Sequence, residues 1–372
     1  MENRKNILLY PVSLIYGIIT GIRNFLYNTG IFSTVEFHLP VICVGNITVG
    51  GTGKTPHTEY LAGLLRENFR VATLSRGYKR KTHGFRIASP SSNVSEIGDE
   101  PMQISRKYPD VLVTVDRNRV HGVKMILQEK PDTDVIILDD GFQHRSITPG
   151  YSILLSDFER PFTRDHMLPY GNLREHISNM RRADIILITK SPENIPPIQR
   201  RLIAKEVDKA PYQNLYFTSL AYKMPVPLFE DPGKEKTPLD LSVCTDCGIV
   251  LITGIANPAP LKEYLQKIAG EIIHLSFPDH YNFKEKDIEN ILTSYKNLKS
   301  PLKYLFTTEK DAVRLREFAN IAELYRSVFY YIPVGIKFLH DDKDEFDNLI
   351  IDYVRKNKRN NRVSESKRNN KS

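Results

Sequence analysis

A chain of 372 residues, 41% hydrophobic and 26% charged, is long enough for two ordinary domains and has the balance of a soluble globular enzyme. It shows no internal period, and its composition excludes a repeat array, a coiled coil or a wholly disordered chain. The net charge of +8 resembles a nucleic-acid signal, but Arg355 to Ser372 hold eight Lys/Arg against one Glu, which leaves about +1 for everything before them. No nucleic-acid partner is expected from so local an excess.

The first element, residues 1–33, reads as a membrane-associated amphipathic helix. From Asn6 to Ile22 no residue is charged, and Arg4, Lys5 and Arg23 flank the stretch. Leu14, Ile15, Ile18, Ile19, Ile22, Phe25 and Leu26 share one helical face, opposite a small and polar stripe of Ser13, Gly17, Thr20, Asn24 and Asn28. The run is shorter than the roughly 20 apolar residues a spanning helix needs, and Pro11, Gly17 and Gly21 are expected to interrupt it. No small-residue cleavage site follows it. The pattern suits a helix lying in a membrane interface; the competing reading is a helix packed on its own domain.

Residues 34–221 alternate short apolar runs with helical stretches. Strands are expected at Pro40–Val44, Val71–Leu74, Val111–Val115, Val135–Leu138, Ser152–Leu155 and Ile185–Ile188. Continuous apolar runs of this length are buried parallel strands, and helices between them make right-handed crossovers in a doubly wound, mostly parallel α/β sheet. Within this core, Val41 to Val44 run into Gly45-Asn46-Ile47-Thr48-Val49-Gly50-Gly51-Thr52-Gly53-Lys54-Thr55. Strand, glycine-rich turn and helix start form a P-loop NTPase-like nucleotide site, with Thr48 to Thr55 as its contact residues. Lys54 is placed to reach the β- and γ-phosphates of ATP and Thr55 to hold Mg2+. The pattern asks for Gly where Thr48 stands, and the pair Gly50-Gly51 compensates in part.

Four apolar residues followed by Asp139 and Asp140 supply the second carboxylate site that a P-loop needs for its metal. Taken alone, the same pattern is a strand running into a turn or helix cap. Asp99-Glu100 reads equally as a helix N-cap, and Asp279-His280 as a surface loop. Arg76, Arg117 and Arg174 either solvate a face or clamp an acidic substrate. Cys43, Cys244 and Cys247 fit a reducing cytoplasm; Cys244 and Cys247 have CxxC spacing but no second pair to complete a zinc site.

A Pro- and Lys-rich stretch, 222–239, reads as a linker or extended ribbon before a smaller α/β lobe at 240–355. The basic segment 356–372 lacks apolar periodicity and is expected to be disordered. It is a solvated end or a weak anchor for anionic lipid, with RNA a distant third.

Taken together, these stretches closely resemble the tetraacyldisaccharide 4'-kinase family. The resemblance is carried by Leu14-Ile-Tyr-Gly17, Gly45-Asn46, Gly50-Gly-Thr-Gly-Lys-Thr-Pro56, Ser75-Arg-Gly-Tyr78, Gly98-Asp-Glu-Pro101, Asp116-Arg117 and Ile137-Leu-Asp-Asp-Gly-Phe-Gln-His144. It continues through Leu168-Pro169, Leu173-Arg-Glu175, Arg182-Ala-Asp184, Gly254-Ile-Ala-Asn-Pro258, Asp279-His280 and Thr308-Glu-Lys-Asp311, in family order to about residue 335.

The resemblance implies an ATP- and Mg2+-dependent kinase of lipid A biosynthesis. Its acceptor is the 4'-hydroxyl of a tetraacylated glucosamine disaccharide 1-phosphate. It implies a monotopic enzyme on the cytoplasmic face of the bacterial inner membrane, without an obligate protein partner, and a site between P-loop core and smaller lobe. By motif, Asp99 and His280 resemble the pair that activates the sugar hydroxyl. Asp139 and Asp140 serve the metal, and Arg174 and Glu175 look like substrate contacts, beside the basic loops of Arg76 and Arg117. Because Asp99 lies in the P-loop region and His280 in the other lobe, the two are expected to meet only on closure. The alternative is a membrane-peripheral P-loop switch of the partitioning or metallochaperone type. Those carry a lysine just before the glycine pair, where this chain has Val49.

Overall fold

The computed structural model describes residues 7–229, 237–244, 246–318 and 321–369. Arg4 and Lys5, the middle of the expected linker at 230–236 and the last three tail residues lie outside these. Helix α1 (Tyr10–Asn28) opens the chain, followed by β1 (Val35–Glu36), β2 (Val41–Gly45), α2 (Lys54–Arg66), β3 (Val71–Ser75) and β4 (Arg86–Ile87). Next come α3 (Val94–Ile97), α4 (Asp99–Lys107), β5 (Leu112–Val115), α5 (Arg119–Glu129), β6 (Val135–Asp139), β7 (Ile147–Thr148) and β8 (Tyr151–Asp157). Then follow β9 (Ile185–Thr189), α6 (Pro197–Val207), β10 (Asn214–Tyr222), β11 (Val226–Pro227), β12 (Gly248–Thr253) and α7 (Ala259–Gln266). The chain closes with β13 (Glu271–Ser276), α8 (Glu285–Asn297), β14 (Lys303–Thr308), α9 (Glu309–Leu315), β15 (Phe329–Ile332), β16 (Val334–Phe338) and α10 (Lys343–Asn369).

Two compact units emerge. The first lies in Met1–Ser91, Ile104–Leu220 and Ile336–Ser372; the second in Ser92–Gln103 and Ala221–Gly335. The first holds a nine-stranded sheet in the order β16-β10-β9-β8-β2-β6-β3-β5-β4. Its six central strands and β10 pair in parallel, and β4 joins β5 antiparallel. Every residue of β2, β3, β6 and β9 is buried, which is why these strands read as unbroken apolar runs. Leu61, Ala62 and Leu65 of α2 cover one face of the sheet, joined by Phe346, Ile350 and Val354 of α10. Val123 and Ile126 of α5 cover the other.

The second unit holds five strands in the order β11-β15-β14-β12-β13, parallel except at β11. Its core is Val250, Ile252, Leu305, Phe283, Ile288 and Ile291, with Cys244 and Cys247 buried as free thiols in a neighbouring apolar cluster.

Four expectations change. Pro11 falls in the first turn of α1, where its missing N–H costs nothing, and the helix runs unbroken through Gly17 and Gly21. The stretch Ile7–Asn28 is long and apolar enough to cross a membrane by length and composition. Residues from 336 onward pack with the first unit, and the helix that begins at Lys343 continues to Asn369 through the stretch expected to be disordered.

The expected apolar face of α1 is present and turned outward: Leu14, Ile15, Ile18, Ile19, Ile22 and Phe25 are all exposed. Its polar stripe, with Tyr16 and Arg23 beside it, faces the protein instead. Ser13 donates to the Met167 carbonyl at 2.7 Å, Tyr16 to the Arg174 carbonyl at 3.1 Å, and Arg23 to the Gln143 carbonyl at 2.9 Å. A helix packed on its own core would show the opposite polarity.

Candidate active site

Strand β2 ends at Gly45, where a Cβ would lie 2.6 Å from that of Phe142; only glycine lets the two loops approach so closely. The chain then passes through Thr48, which forms an isolated antiparallel bridge with Leu173, flanked by Arg174 N–H to Ile47 carbonyl at 2.7 Å and Val49 N–H to Asn172 carbonyl at 2.8 Å. Extended backbone accepts any residue, so threonine serves where the common pattern has glycine. Left-handed backbone follows at Gly50 (φ 101°) and at Gly53 (φ 84°), the residue that caps α2. The buried Thr52 hydroxyl accepts from Asn46 Nδ2 at 2.8 Å, fixing the turn from within.

Lys54 and Thr55 open α2, so the helix N-terminus and its free amides face the loop, as an anion site requires. Lys54 Nζ lies 3.7 Å from Asp140, and Arg174 Nη1 lies 3.3 Å from the same carboxylate. Burial alone would raise the pKa of Asp140, but Lys54, Arg174 and Arg119 outweigh it and hold the carboxyl below its usual range. Asp139 is buried and accepts from the Thr58 hydroxyl at 3.1 Å. Thr55, Asp139 and Asp140 are hard oxygen donors, the set that suits a Mg2+ ion completed by phosphate and water. Among the described residues no cluster of three His, Cys, Asp or Glu forms an all-protein cage.

The arginines divide. Arg174 faces Asp140 and Gln143, while Arg76 and Arg117 are exposed at the ends of neighbouring strands β3 and β5. Glu175, expected as a substrate contact, is 1% exposed and forms an ion pair with Arg182, accepting also from Asn24 Nδ2 of α1 at 3.4 Å. It is an internal counter-ion that ties α1 to the fold.

In the second unit, Asp99 is buried and receives three donors. Arg314 Nε and Nη2 reach its two oxygens at 2.7 and 2.8 Å, and His280 Nδ1 reaches Oδ2 at 2.6 Å. Burial raises the Asp99 pKa, but the hydrogen bonds from His280 and Arg314 prevail and lower it. With Nδ1–H donated to a carboxylate, His280 Nε2 is the acceptor for Lys310 Nζ at 3.1 Å, and Lys310 also pairs with Asp279 at 2.9 Å. His280 holds left-handed backbone at φ 58°, and Arg314 Nη1 donates to its carbonyl at 2.8 Å. Asp99 and His280 thus meet inside one unit, because residues 92–103 fold with the second unit rather than with the P-loop sheet around them in sequence. Their pairing needs no closure.

Residues 5–355 match the family model for tetraacyldisaccharide-1-P 4'-kinase. The chain belongs to the tetraacyldisaccharide-1-P 4'-kinase family. It is 46% identical over 362 residues to a tetraacyldisaccharide 4'-kinase of Bacteroides thetaiotaomicron, covering 96% of this chain and 95% of that one. A tetraacyldisaccharide 4'-kinase of Flavobacterium johnsoniae is 40% identical over 350 residues, covering 94% and 97%. Among solved structures, the apo form of LpxK from Aquifex aeolicus in complex with ATP is 29% identical, covers 93% of this chain and 98% of that one, and superposes with a TM-score of 0.72.

The expected fold and the expected kinase activity in lipid A biosynthesis both stand, with a lipid as substrate, and the reading as a switch NTPase gives way. For a 4'-kinase of this family, three residues beyond the motifs acquire importance. Arg314 lies three positions after the Thr308-Glu-Lys-Asp311 segment and holds Asp99. Arg119, 1% exposed, donates to the Asp116 carbonyl at 2.6 Å and the Asp139 carbonyl at 3.2 Å, placing a buried cation beneath the two aspartates. His57 is neutral, its pKa pushed down to about 4 chiefly by burial, with Nδ1 toward the Gly53 carbonyl and Nε2 toward Thr218. The i+3 spacing from Asp116 and from Asp311 was the available signal for the two arginines.

Proposed function

We propose that this 4'-kinase transfers the γ-phosphate of Mg-ATP, held on Thr48 to Thr55, to the 4'-hydroxyl of a tetraacylated glucosamine disaccharide 1-phosphate. The reading is carried by one observation: Lys54 and Arg174 converge on Asp140 at the opening of a loop that runs into the N-terminus of α2. Phosphoryl transfer needs positioning and charge neutralisation more than covalent chemistry, and this cluster supplies both. Thr55 and Asp140 would hold a Mg2+ ion, which would supply charge neutralisation to the phosphates, and Asp139 anchors the start of α2 through Thr58.

Asp99 and His280 serve the acceptor. A sugar hydroxyl is a poor nucleophile near neutral pH and needs a partner for its proton as the new bond forms. Asp99 orients the His280 ring by accepting from Nδ1, which leaves Nε2 as the acceptor side for the hydroxyl proton. Arg76, Arg117 and Arg174 offer guanidinium groups to an anionic acceptor.

The exposed apolar face of α1 lies in the membrane interface, which brings the enzyme to a substrate that is itself a lipid. ATP as donor and three free cysteines support the cytoplasmic side of the inner membrane as the face it occupies. The test is acceptor dependence. With labelled ATP and detergent-dispersed disaccharide 1-phosphate, label enters the lipid, and ATP turnover without acceptor is at least about 100-fold slower, as for catalysis completed by substrate binding. Equal turnover with and without acceptor would defeat the reading.

A further inference from the structure

Three consecutive carbonyls of the phosphate loop are held from outside by side chains. Lys190 Nζ donates to the Gly51 carbonyl, Thr189 Oγ1 to the Thr52 carbonyl at 2.9 Å, and His57 Nδ1 to the Gly53 carbonyl at 2.7 Å. A loop that cups an anion must turn its amides inward and its carbonyls outward. Each carbonyl tied down is a peptide plane that no longer rotates its oxygen toward phosphate.

His57 and Thr189 are buried and neutral, whereas Lys190 is charged and partly exposed. The second anchor of Lys190 is Asp157 Oδ2 at 2.7 Å. Asp157 ends β8 directly opposite Thr189 of β9, so the parallel register of these strands sets the acid beside the lysine that follows. Lys190 adopts left-handed backbone at φ 56°, a conformation that strains a residue with a Cβ. Such strain persists where the surroundings over-determine it, and here the turn delivers the ammonium to the loop. The family motifs in this sequence do not include Lys190.

We propose that Lys190 is a positioning residue for the nucleotide: aimed by Asp157, its ammonium locks the Gly51 peptide in the orientation that receives the polyphosphate of ATP. The inference rests on the reading of Thr48 to Thr55 as the ATP site. Its ligand class is the polyphosphate chain, so the effect falls on ATP and on inorganic tripolyphosphate alike.

The test is equilibrium titration of the full-length protein with each ligand in the presence of Mg2+. Lys190→Met keeps the apolar stem, removes the charge and weakens both ligands roughly tenfold or more, the scale of one charge-assisted hydrogen bond. Lys190→Arg restores most of the affinity. Asp157→Asn weakens binding in the same direction and adds little to Lys190→Met, because the two act as one unit. The unliganded unfolding midpoint of Lys190→Met stays within about 2 °C of wild type, since a partly exposed ion pair contributes little to stability. Binding within twofold of wild type in Lys190→Met, or a midpoint that falls in step with affinity, overturns the inference. Lys54→Ala in the same titration separates the two layers: if it binds ATP like wild type, the reading of the loop itself has failed.

Discussion

His280 Nδ1 lies 2.6 Å from Asp99 Oδ2, although 181 residues separate them in sequence, and both belong to one compact unit. If the pair acts as one device, Asp99→Asn and His280→Ala each lower kcat by at least about 100-fold while ATP affinity stays near wild type. The double variant is then little worse than the worse single one, because members of a catalytic unit are not additive. Single-turnover rates for the four proteins decide this; fully multiplicative losses would mean independent roles.

Arg314 is the stability partner of the same carboxylate. Asp99→Ala leaves its buried guanidinium uncompensated, which costs about 3–5 kcal/mol. Asp99→Asn, which keeps the shape and some hydrogen bonds, costs less. Urea unfolding followed by a probe in the second unit tests the order, and equal losses in the two variants would refute it.

The two adjacent aspartates should separate in a magnesium titration. Asp140 faces Lys54 and Arg174, so Asp140→Asn raises the Mg2+ concentration for half-maximal rate roughly tenfold or more, as expected on losing a charged ligand. Asp139→Asn disturbs the Thr58 contact and lowers thermal stability with a smaller change in Mg2+ requirement. The reverse ranking would exchange their roles.

Acid sensitivity follows from His57. Its folded pKa is lowered from 6.5 to about 4, chiefly by burial, so between these values the unfolded chain binds a proton that the folded chain refuses. Folding free energy is therefore lost as pH falls through this window, by about 2 kcal/mol from this group at pH 5. His57→Gln removes that share of the slope. His144, also lowered to about 4 by burial and Arg119, retains its own. Urea midpoints at pH 7 and 5 measure the difference; an unchanged slope in His57→Gln would contradict it.

Because the polar stripe of α1 is docked on Met167, Arg174 and Glu175, substitution on the outward face is a cleaner probe than deletion. Ile18→Asp combined with Ile22→Asp should move the protein from the membrane to the soluble fraction and raise the apparent KM for dispersed lipid. ATP affinity should be unchanged. A doubly substituted protein that still pellets with membranes would assign the anchor to another surface.

The P-loop and its neighbouring aspartates were legible in the sequence because each is local: strand, turn and helix start follow one another, and four apolar residues precede Asp139. The central strands were legible because both faces are buried. What escaped depends on contacts between distant segments. Nothing local says that 92–103 leave the P-loop sheet and carry Asp99 to His280, or that Arg314 reaches back 215 residues to hold it. Lys190 reads as an ordinary surface lysine until β8 and β9 are in register. Glu175 looked like a loop acid facing substrate, and only the packing of α1 reveals its inward turn. The helix through the basic tail ran against a composition that lacks an apolar face.

The most direct measurement is transfer of labelled γ-phosphate from ATP to the disaccharide lipid by wild type and Lys54→Ala at saturating acceptor. On the proposed reading Lys54 neutralises charge that grows in the transition state, so its loss should reduce the transfer rate by at least about 1000-fold. A variant that keeps more than roughly a tenth of the wild-type rate, a loss of only about 1.4 kcal/mol, would contradict the assignment of this loop as the phosphoryl-transfer site.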